Sequence, residues 1–366
     1  MFPKITIIAV LAGCTARAIA WGAAGHEIVA TIAQIHLHPS VFPTMCAILN
    51  FTSPNPSEPP CHLAPIAAWA DTQRPKMPWS AQLHYIGAVD DYPSQTCAFP
   101  GPRGWEGAKG ANVLGGVRNV TDILLDWVVA NKAGTVSEYT AANEALKFLV
   151  HFLGDMHMPL HLTGRDRGGN SIPVLFSGRK TNLHSLWDGL LIAKALRSVP
   201  PQYSRPLPYP QIERSLRGAI YDSYVRMIMW EGVLGEWEQD IPDWLTCPAP
   251  ASASSATDDA LICPHHWATP IHALNCELVF PPALDQPPYN DTRPPPALEQ
   301  FAQASFSVAA DPFLELDTPE YSGVITEGWV IEKLLAQAGL RLAGVLNYLF
   351  AEFEDEEARR DLRVGF

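Results

Sequence analysis

Two histidine–aspartate pairs, each with a spacing of four residues, constrain the fold more than any other feature of the sequence. His151 and Asp155 form the first pair, and His184 and Asp188 form the second. On an α-helix this spacing places both side chains on one face, one turn apart. Imidazole nitrogen and carboxylate oxygen are both good zinc ligands. The pairs therefore predict two helical segments that carry metal ligands.

The surroundings of the first pair favour a metal site over a pair on an ordinary surface helix. A single pair of this kind is common on exposed helices, but here a third candidate, His161, follows the helix-ending Pro159. Apolar residues flank the pair and predict a buried helix: Phe148, Leu149, Val150, Phe152 and Leu153. Buried carboxylates and imidazoles need partners, and a metal ion is one such partner.

Residues 1–20 have the pattern of a secretory signal peptide. Lys4 provides the positive charge, residues 5–12 form a short apolar core, and Ala18-Ile-Ala20 is a small-residue cleavage site. No other apolar run is long enough to span a membrane. The sequence thus predicts a secreted, soluble chain that begins at Trp21.

The cysteines agree with an oxidising compartment. Cys14 leaves with the signal peptide, and the six that remain are Cys46, Cys61, Cys97, Cys247, Cys263 and Cys276. An even count predicts disulfides, although spacing alone leaves fifteen pairings open. Sequons at Asn50, Asn119 and Asn290 predict glycosylated surface loops.

The formal net charge is −13, and the chain becomes more acidic when Lys4 and Arg17 leave with the signal peptide. Such a surface is not that of a duplex-DNA-binding protein. It remains compatible with a nucleic-acid substrate that binds at a local metal site.

Hydrophobic periodicity predicts a mainly α-helical single domain with long loops and a small β-hairpin. Predicted helical segments are 27–35, 63–70, 117–129, 136–152, 183–196, 211–238 and an amphipathic helix at 330–349. Residues 172–176 are one predicted strand of the hairpin, and 83–86 are predicted to be extended or loop. Residues 93–116, 248–259 and 281–296 are predicted loops. The domain is expected to cover 21–350, followed by a charged, solvated tail at 351–366.

Candidate metal ligands occur along most of this domain. They are Trp21 (through its free N-terminus), His26, Asp71, His84, His151, Asp155, His161, His184 and Asp188. At three or four protein ligands per ion, this set is enough for about three zinc ions. The other histidines are expected to be surface or loop residues: His36, His38, His62, His265, His266 and His272. His157 is expected near the site without being a ligand.

The ligands lie in a series of motifs that occur in order along the chain. These are Trp21-Gly-x-x-Gly-His26, Ala68-Trp-Ala-Asp71, Leu83-His84-Tyr-Ile, the segment Phe148 to His161, Gly168-Gly-Asn170 and Asn182-Leu-His184-x-x-Trp-Asp188. With these motifs the chain resembles the zinc-dependent type I nucleases of fungi and plants. These are secreted enzymes that prefer single-stranded nucleic acid and have 3′-nucleotidase activity. Their fold is related to that of bacterial zinc phospholipases C.

The resemblance implies a role for each matched position. Trp21, His26 and Asp155 would hold one ion. Asp71, His84 and His151 would hold a second, with Asp155 as the bridge. His161, His184 and Asp188 would hold the third.

The same resemblance implies a trinuclear-zinc endonuclease of single-stranded DNA and RNA that acts as a monomer. A bridging water would attack phosphorus, the third ion would stabilise the leaving 3′ oxygen, and the products would carry 5′-phosphates. Asp71, Asp155 and Arg74 are the expected catalytic residues, with Arg74 contacting phosphate. Tyr85 and Asn170 are expected to contact the substrate, although Tyr85 could instead belong to the core.

The family also implies a disulfide between Cys97 and Cys276. Proximity in the sequence then predicts Cys247 with Cys263, and Cys46 with Cys61.

One position departs from the family pattern. Members commonly have an aspartate that reads the base three residues after the histidine at His84, whereas this chain has Gly87. Asp90 and Asp91 lie nearby, but the sequence does not place them. Two alternative functions therefore stand beside the nuclease: a phospholipase C-like zinc phosphoesterase and a secreted zinc-binding protein without activity.

Overall fold

The computed structural model describes residues 21–135, 139–248, 257–290 and 313–352. Within these ranges the chain is mainly α-helical, as the periodicity predicts. The α-helices are α1 (Ala23–Ile35), α2 (Val41–Leu49), α3 (Trp69–Gln73), α4 (Val113–Lys132), α5 (Thr140–Asp155), α6 (Leu183–Ser185), α7 (Leu191–Arg197), α8 (Pro210–Ser215), α9 (Asp222–Met227), α10 (Ile241–Leu245), α11 (Pro264–Leu274), α12 (Val324–Glu327) and α13 (Val330–Phe350). Short 3₁₀ turns and π-helical segments connect them.

A small sheet accompanies the helices. Strands β1 (Pro173–Phe176) and β2 (Arg179–Asn182) form the predicted antiparallel hairpin. A third strand, β3 (Leu314–Glu315), pairs parallel to β1, so the strand order is β2-β1-β3. Two residues are too short for an alternating pattern, which explains why the sequence does not predict β3.

The core is built on two helix pairs, α1 with α13 and α4 with α5. Helix α13 was predicted to be amphipathic, but the structure buries most of its circumference. Even Glu332 is buried, where it accepts a hydrogen bond from the Tyr224 hydroxyl at 2.7 Å. At the closest approach, a Cβ on Gly339 would lie 2.6 Å from Cγ2 of Ile32 in α1. Glycine at this position therefore allows the two helices to touch.

Several predicted boundaries differ from the structure for local reasons. The segment predicted to be extended or loop at 83–86 begins in a 3₁₀ helix, Pro78–His84, and Tyr85 directly after it is extended. Helix α4 begins earlier than predicted because the Asn112 side chain accepts a hydrogen bond from the Gly115 amide at 3.0 Å and caps it. The helical region predicted at 211–238 is interrupted between α8 and α9, where Gly218 has φ +83°.

Three disulfides join the pairs expected from the sequence: Cys46–Cys61, Cys97–Cys276 and Cys247–Cys263. One glycosylation expectation was wrong about its setting. Asn119 is exposed on helix α4, not on a loop. Asn50 and Asn290 are exposed outside helices.

The expectation that the other histidines are surface or loop residues was wrong for His265 and His272, which lie buried in helix α11. His36, His265 and His272 are buried. His272 faces the buried Asp91, with 3.1 Å between Nε2 and Oδ2. A core can accommodate a histidine whose ring has a polar partner. A single histidine forms no periodic pattern, so its burial cannot be predicted from the sequence.

Some expectations fall on residues outside the described ranges. These are the signal peptide at 1–20, most of the tail and parts of the loops at 248–259 and 281–296. Among the described residues, no helix combines the length and apolar character needed to cross a bilayer.

The contact at Gly339 gives a stability prediction. Replacing Gly339 with Val forces side-chain atoms against Ile32 and the Val29 carbonyl, so the free energy of unfolding should fall by about 1–3 kcal/mol. Urea denaturation of the metal-loaded protein measures this change. Gln337→Ala, in the same helix but only partly buried, should stay within about 0.5 kcal/mol of the parent. Equal stability of the valine variant would contradict the packing described here.

Candidate metal centre

The first ligand pair lies in the last turns of α5, where it faces α1. His151 and Asp155 are fully buried, and the ring of His26 from α1 stacks on His151 with 3.9 Å between ring centroids. A Cβ on Gly154 would lie 2.5 Å from Nδ1 of His26. The glycine before Asp155 therefore lets the imidazole of α1 approach the carboxylate.

Asp155 is the meeting point of several imidazoles. Its Oδ2 lies 2.9 Å from Nδ1 of His84 and 3.3 Å from Nε2 of His151. Its Oδ1 lies 3.4 Å from Nε2 of His26 and 3.6 Å from Nδ1 of His161. One carboxylate thus faces four histidines from different parts of the chain.

Asp71 completes a second group on the other side of His84 and His151. Its Oδ1 lies 3.7 Å from His84 Nδ1, and its Oδ2 lies 3.7 Å from His151 Nε2. Short helix α3 presents this carboxylate. The two neighbouring groups that could each hold a metal ion are His26/His151/Asp155 and Asp71/His84/His151.

The second pair supplies a third group that could hold a metal ion, His161/His184/Asp188. Asn182 caps α6 by accepting a hydrogen bond from the Ser185 amide at 2.8 Å, and this turn places His184. His184 Nε2 lies 3.2 Å from Asp188 Oδ2. His161, from the 3₁₀ helix Pro159–Leu162, stacks on His184 with 5.2 Å between centroids.

Main-chain carbonyls fix the orientation of three of these imidazoles. Nδ1 of His151 lies 2.7 Å from the Ala67 carbonyl oxygen. In the same way, Nδ1 of His161 lies 2.6 Å from the His84 carbonyl oxygen, and Nδ1 of His184 lies 2.7 Å from the Gly168 carbonyl oxygen. A carbonyl only accepts, so each Nδ1 carries the proton and each Nε2 presents a lone pair. Such partners are the usual outer support of metal-binding histidines.

The remaining polar atoms of the three groups fit divalent metal ions. Buried ligand atoms without a hydrogen-bond partner among the described residues are both ring nitrogens of His26, both oxygens of Asp71, Nε2 of His84, Oδ1 of Asp155 and both oxygens of Asp188. Burial without a partner costs about 1–3 kcal/mol for each such group. Lone pairs that converge in this way could hold a cation, and the nitrogen and oxygen donors are those that zinc accepts.

Burial keeps the imidazoles of His151 and His161 in the neutral form that binds metal. It lowers the pKa of His161 to about 3 and the pKa of His151 well below its usual range. Burial would raise the pKa of Asp155, but the facing histidines, His151 foremost, outweigh it and hold that pKa well below its usual range. Burial also raises the pKa of Asp71 to about 6, and the neighbouring Asp155 charge adds to the rise. A bound cation would oppose this effect and favour the ionised carboxylate.

Comparison with known proteins identifies the family. The family model described as S1/P1 Nuclease matches residues 21–351. The chain belongs to the S1/P1 nuclease family. It is therefore a hydrolase of the nuclease class, and its helical architecture is that of the phospholipase C/nuclease-like fold.

Named relatives agree with this membership. Endonuclease 2 of Arabidopsis thaliana is 28% identical over 334 residues, which cover 90% of each chain. Nuclease P1 of Penicillium citrinum is 38% identical over 182 residues, 48% of this chain and 60% of the relative. Nuclease S1 of Aspergillus oryzae is 36% identical over 170 residues, 46% of this chain and 53% of the relative.

The structure of this family member brings every histidine and aspartate of the predicted ligand set into the three groups. Trp21 would bind through main-chain atoms. Its side chain is buried, and the next amide, Gly22, donates a hydrogen bond to the Asp188 carbonyl at 2.8 Å. The chain therefore starts its first helix beside the third group. His157, expected to be near the site without being a ligand, contacts Arg341 with 2.8 Å between Nε2 and Nη1.

The residues predicted to contact the substrate differ in their exposure and in their hydrogen-bond partners. Tyr85 is 49% exposed, which contradicts the alternative that it belongs to the core. Arg74 is partly exposed with Nη1 3.6 Å from Asp71 Oδ1. The Asn170 side chain donates to the Arg167 carbonyl at 2.9 Å, so this donor is already used within the turn. Sequence reasoning missed the carbonyls of Ala67, His84 and Gly168, because main-chain groups carry no sequence signal.

The position of His151 gives the central test of the metal centre. His151→Ala should abolish hydrolysis and lower the melting temperature, because metal-binding free energy is also folding free energy. Chelation should destabilise the parent protein strongly and the variant little. Differential scanning calorimetry with and without chelator, together with a nuclease assay, measures both effects.

His266→Ala is the matched control, since His266 is exposed and lies outside the three groups. It should retain activity and the response to chelator. An active His151→Ala variant with unchanged stability would remove His151 from the metal centre.

Proposed function

We propose that this chain is a secreted endonuclease with about three zinc ions that cleaves single-stranded DNA and RNA to 5′-phosphate products. It also removes the phosphate from 3′-nucleotides. The observation that carries the proposal is the convergence of buried, partnerless lone pairs in three neighbouring groups of a nuclease-family chain. The apparent signal peptide and the three disulfides support an extracellular location.

The proposed ligands follow the grouping of the side chains. Trp21, His26 and Asp155 hold one ion, and Asp71, His84 and His151 hold the second, with Asp155 between them. His161, His184 and Asp188 hold the third. Zinc supplies an acidified water as nucleophile and stabilises negative charge on oxygen at phosphorus.

The N-terminus is part of this proposal. Trp21 ligates through its α-amino group only after removal of residues 1–20, because an amine in a peptide bond is not a ligand. The hydrogen bond from Gly22 to Asp188 holds this end of α1 close to the ligands. Signal-peptide cleavage thus completes the metal centre.

Arg74 is the candidate contact to the scissile phosphate. Its guanidinium lies next to Asp71 and remains partly open to solvent. A guanidinium keeps its charge throughout the accessible pH range and donates along two edges. It can therefore bind Asp71 and also neutralise the charge that develops on the phosphoryl oxygens.

Tyr85 explains a preference for single strands. Its exposed ring directly follows the ligand His84 and can stack on a base. A base inside a duplex is covered on both faces by its neighbours. Only an unpaired or unstacked base presents a free face to this ring.

Arg74 and Lys76 form a useful pair of variants. Arg74→Ala should lower kcat/KM on single-stranded DNA by about 10²–10³-fold, the cost of removing one preorganised donor from a developing charge. Metal content should not change. Lys76→Ala, exposed and two residues away, should change kcat/KM by less than about threefold. Full activity of the Arg74 variant would exclude its role at the phosphate.

Elemental analysis of the secreted protein tests the metal count. About three zinc ions per chain are expected, with chelator-sensitive hydrolysis of single-stranded DNA in the same sample. Fewer than two would show that the ligand assignment is wrong. Three zinc ions with hydrolysis of phosphatidylcholine and none of DNA or RNA would favour a phospholipase C-like phosphoesterase. Three zinc ions with no hydrolysis would favour a binding protein.

A further inference from the structure

The segment that follows the candidate ligand His84 is held by hydrogen bonds on both sides. On one side its Ile86 amide donates a hydrogen bond to the His161 carbonyl at 2.7 Å. On the other side the Gly87 carbonyl accepts from the Glu106 amide at 2.9 Å. The residues just after His84 are therefore held between a second metal ligand and the strand-like segment around Glu106.

Glu106 and Tyr85 lie on the same side of this segment. Tyr85 is extended and exposed, whereas Ile86 is buried, as expected for alternation along an extended chain. Gly87 then faces the same side as Tyr85. The antiparallel bridge between Ala88 and Trp105 places Glu106 opposite Gly87.

The Glu106 carboxylate lies in space left open by two glycines. Its Oε2 is 3.0 Å from the position a Cβ on Gly87 would take, and 2.6 Å from the corresponding position on Gly164. Neither glycine has a positive φ. Glycine is therefore favoured at each position because a side chain would not fit, and not because of the backbone conformation. Any side chain at either position would displace this carboxylate.

No hydrogen bond or ion pair to another described residue engages the Glu106 side chain. Nearby acids differ in this respect: Asp90 pairs with Arg103, and Asp91 accepts from Thr163 at 2.5 Å. The Glu106 residue is exposed. A carboxylate that faces the same side as an exposed tyrosine, next to the segment of a candidate ligand and with its acceptors unused, is a recognition group without its ligand.

We propose that Glu106 reads the base that stacks on Tyr85, and that it selects guanine. This inference rests on the proposed nuclease function. An ionised carboxylate only accepts hydrogen bonds, through two oxygens. Guanine alone presents two adjacent donors, N1–H and N2–H, on its Watson–Crick edge. Adenine and cytosine present one donor beside an acceptor, and uracil and thymine present one donor between two carbonyls.

Glu106→Gln tests this specificity with little change in shape. The parent enzyme should hydrolyse guanosine 3′-monophosphate with a higher kcat/KM than the adenosine, cytidine and uridine compounds. The amide replaces one acceptor with a donor, so kcat/KM for the guanosine substrate should fall about 5- to 150-fold. The other three substrates should change by less than about threefold, which removes the preference. Zinc content should be unchanged.

Glu236→Gln is the matched control, an exposed glutamate on the segment Ile228–Glu236. It should retain the guanosine preference. An equal loss on all four substrates in Glu106→Gln would assign a structural role to Glu106 and overturn the proposal. Efficient hydrolysis by the parent without a guanosine preference would overturn it as well, while leaving the nuclease function intact.

A binding measurement separates base reading from catalysis. Isothermal titration of the zinc-loaded protein with the four nucleoside 5′-monophosphates should show the tightest binding for guanosine 5′-monophosphate and loss of this difference in Glu106→Gln. That result without any hydrolysis would support the role of Glu106 while the nuclease proposal fails. Equal binding of all four, or no binding of any, would overturn the role of Glu106.

Discussion

The buried carboxylate of Asp155 is the point on which this fold depends. It faces imidazoles from α1, from the 3₁₀ helix that ends at His84, from α5 and from the turn after α5. Partnerless polar atoms at the centre of a helical core would destabilise it, whereas metal ions convert the same atoms into cross-links between elements. The three groups that could hold metal ions are thus part of the buried core, so metal bound there would also stabilise the fold.

The elements around this centre approach closely because small residues allow it. Gly154 lets His26 reach the carboxylate side of α5, and Gly339 lets α13 pack directly on α1 behind the ligands. The carbonyls of Ala67, His84 and Gly168 accept hydrogen bonds from Nδ1 of three imidazoles. Each of these imidazoles therefore carries its proton on Nδ1 and has its lone pair on Nε2. Rigid packing and fixed tautomers together preorganise the groups for metal ions, which limits the reorganisation needed on binding.

Chemistry and specificity are separated in this architecture. The candidate ligands lie on helices and short turns and are mostly buried, whereas Tyr85 and Glu106 are exposed on the two segments that the bridge between Ala88 and Trp105 joins. Exposed segments can change their residues without disturbing the metal core, because their side chains support little packing. At position 87 the chain has glycine, and the Glu106 carboxylate of the facing segment lies in the space that a side chain there would take.

Sequence alone predicted the helical class, the hairpin and every histidine and aspartate of the three groups. This was possible because the i,i+4 spacing and the order of the motifs can be read directly from the sequence. The sequence could not place Glu106, since a contact across a bridge between residues 88 and 105 leaves no periodic trace. It also assigned His265 and His272 to the surface or to loops, whereas tertiary packing buries both in helix α11. Local spacing determines which side chains share a helix face; only the folded chain decides which faces meet and which main-chain groups orient them.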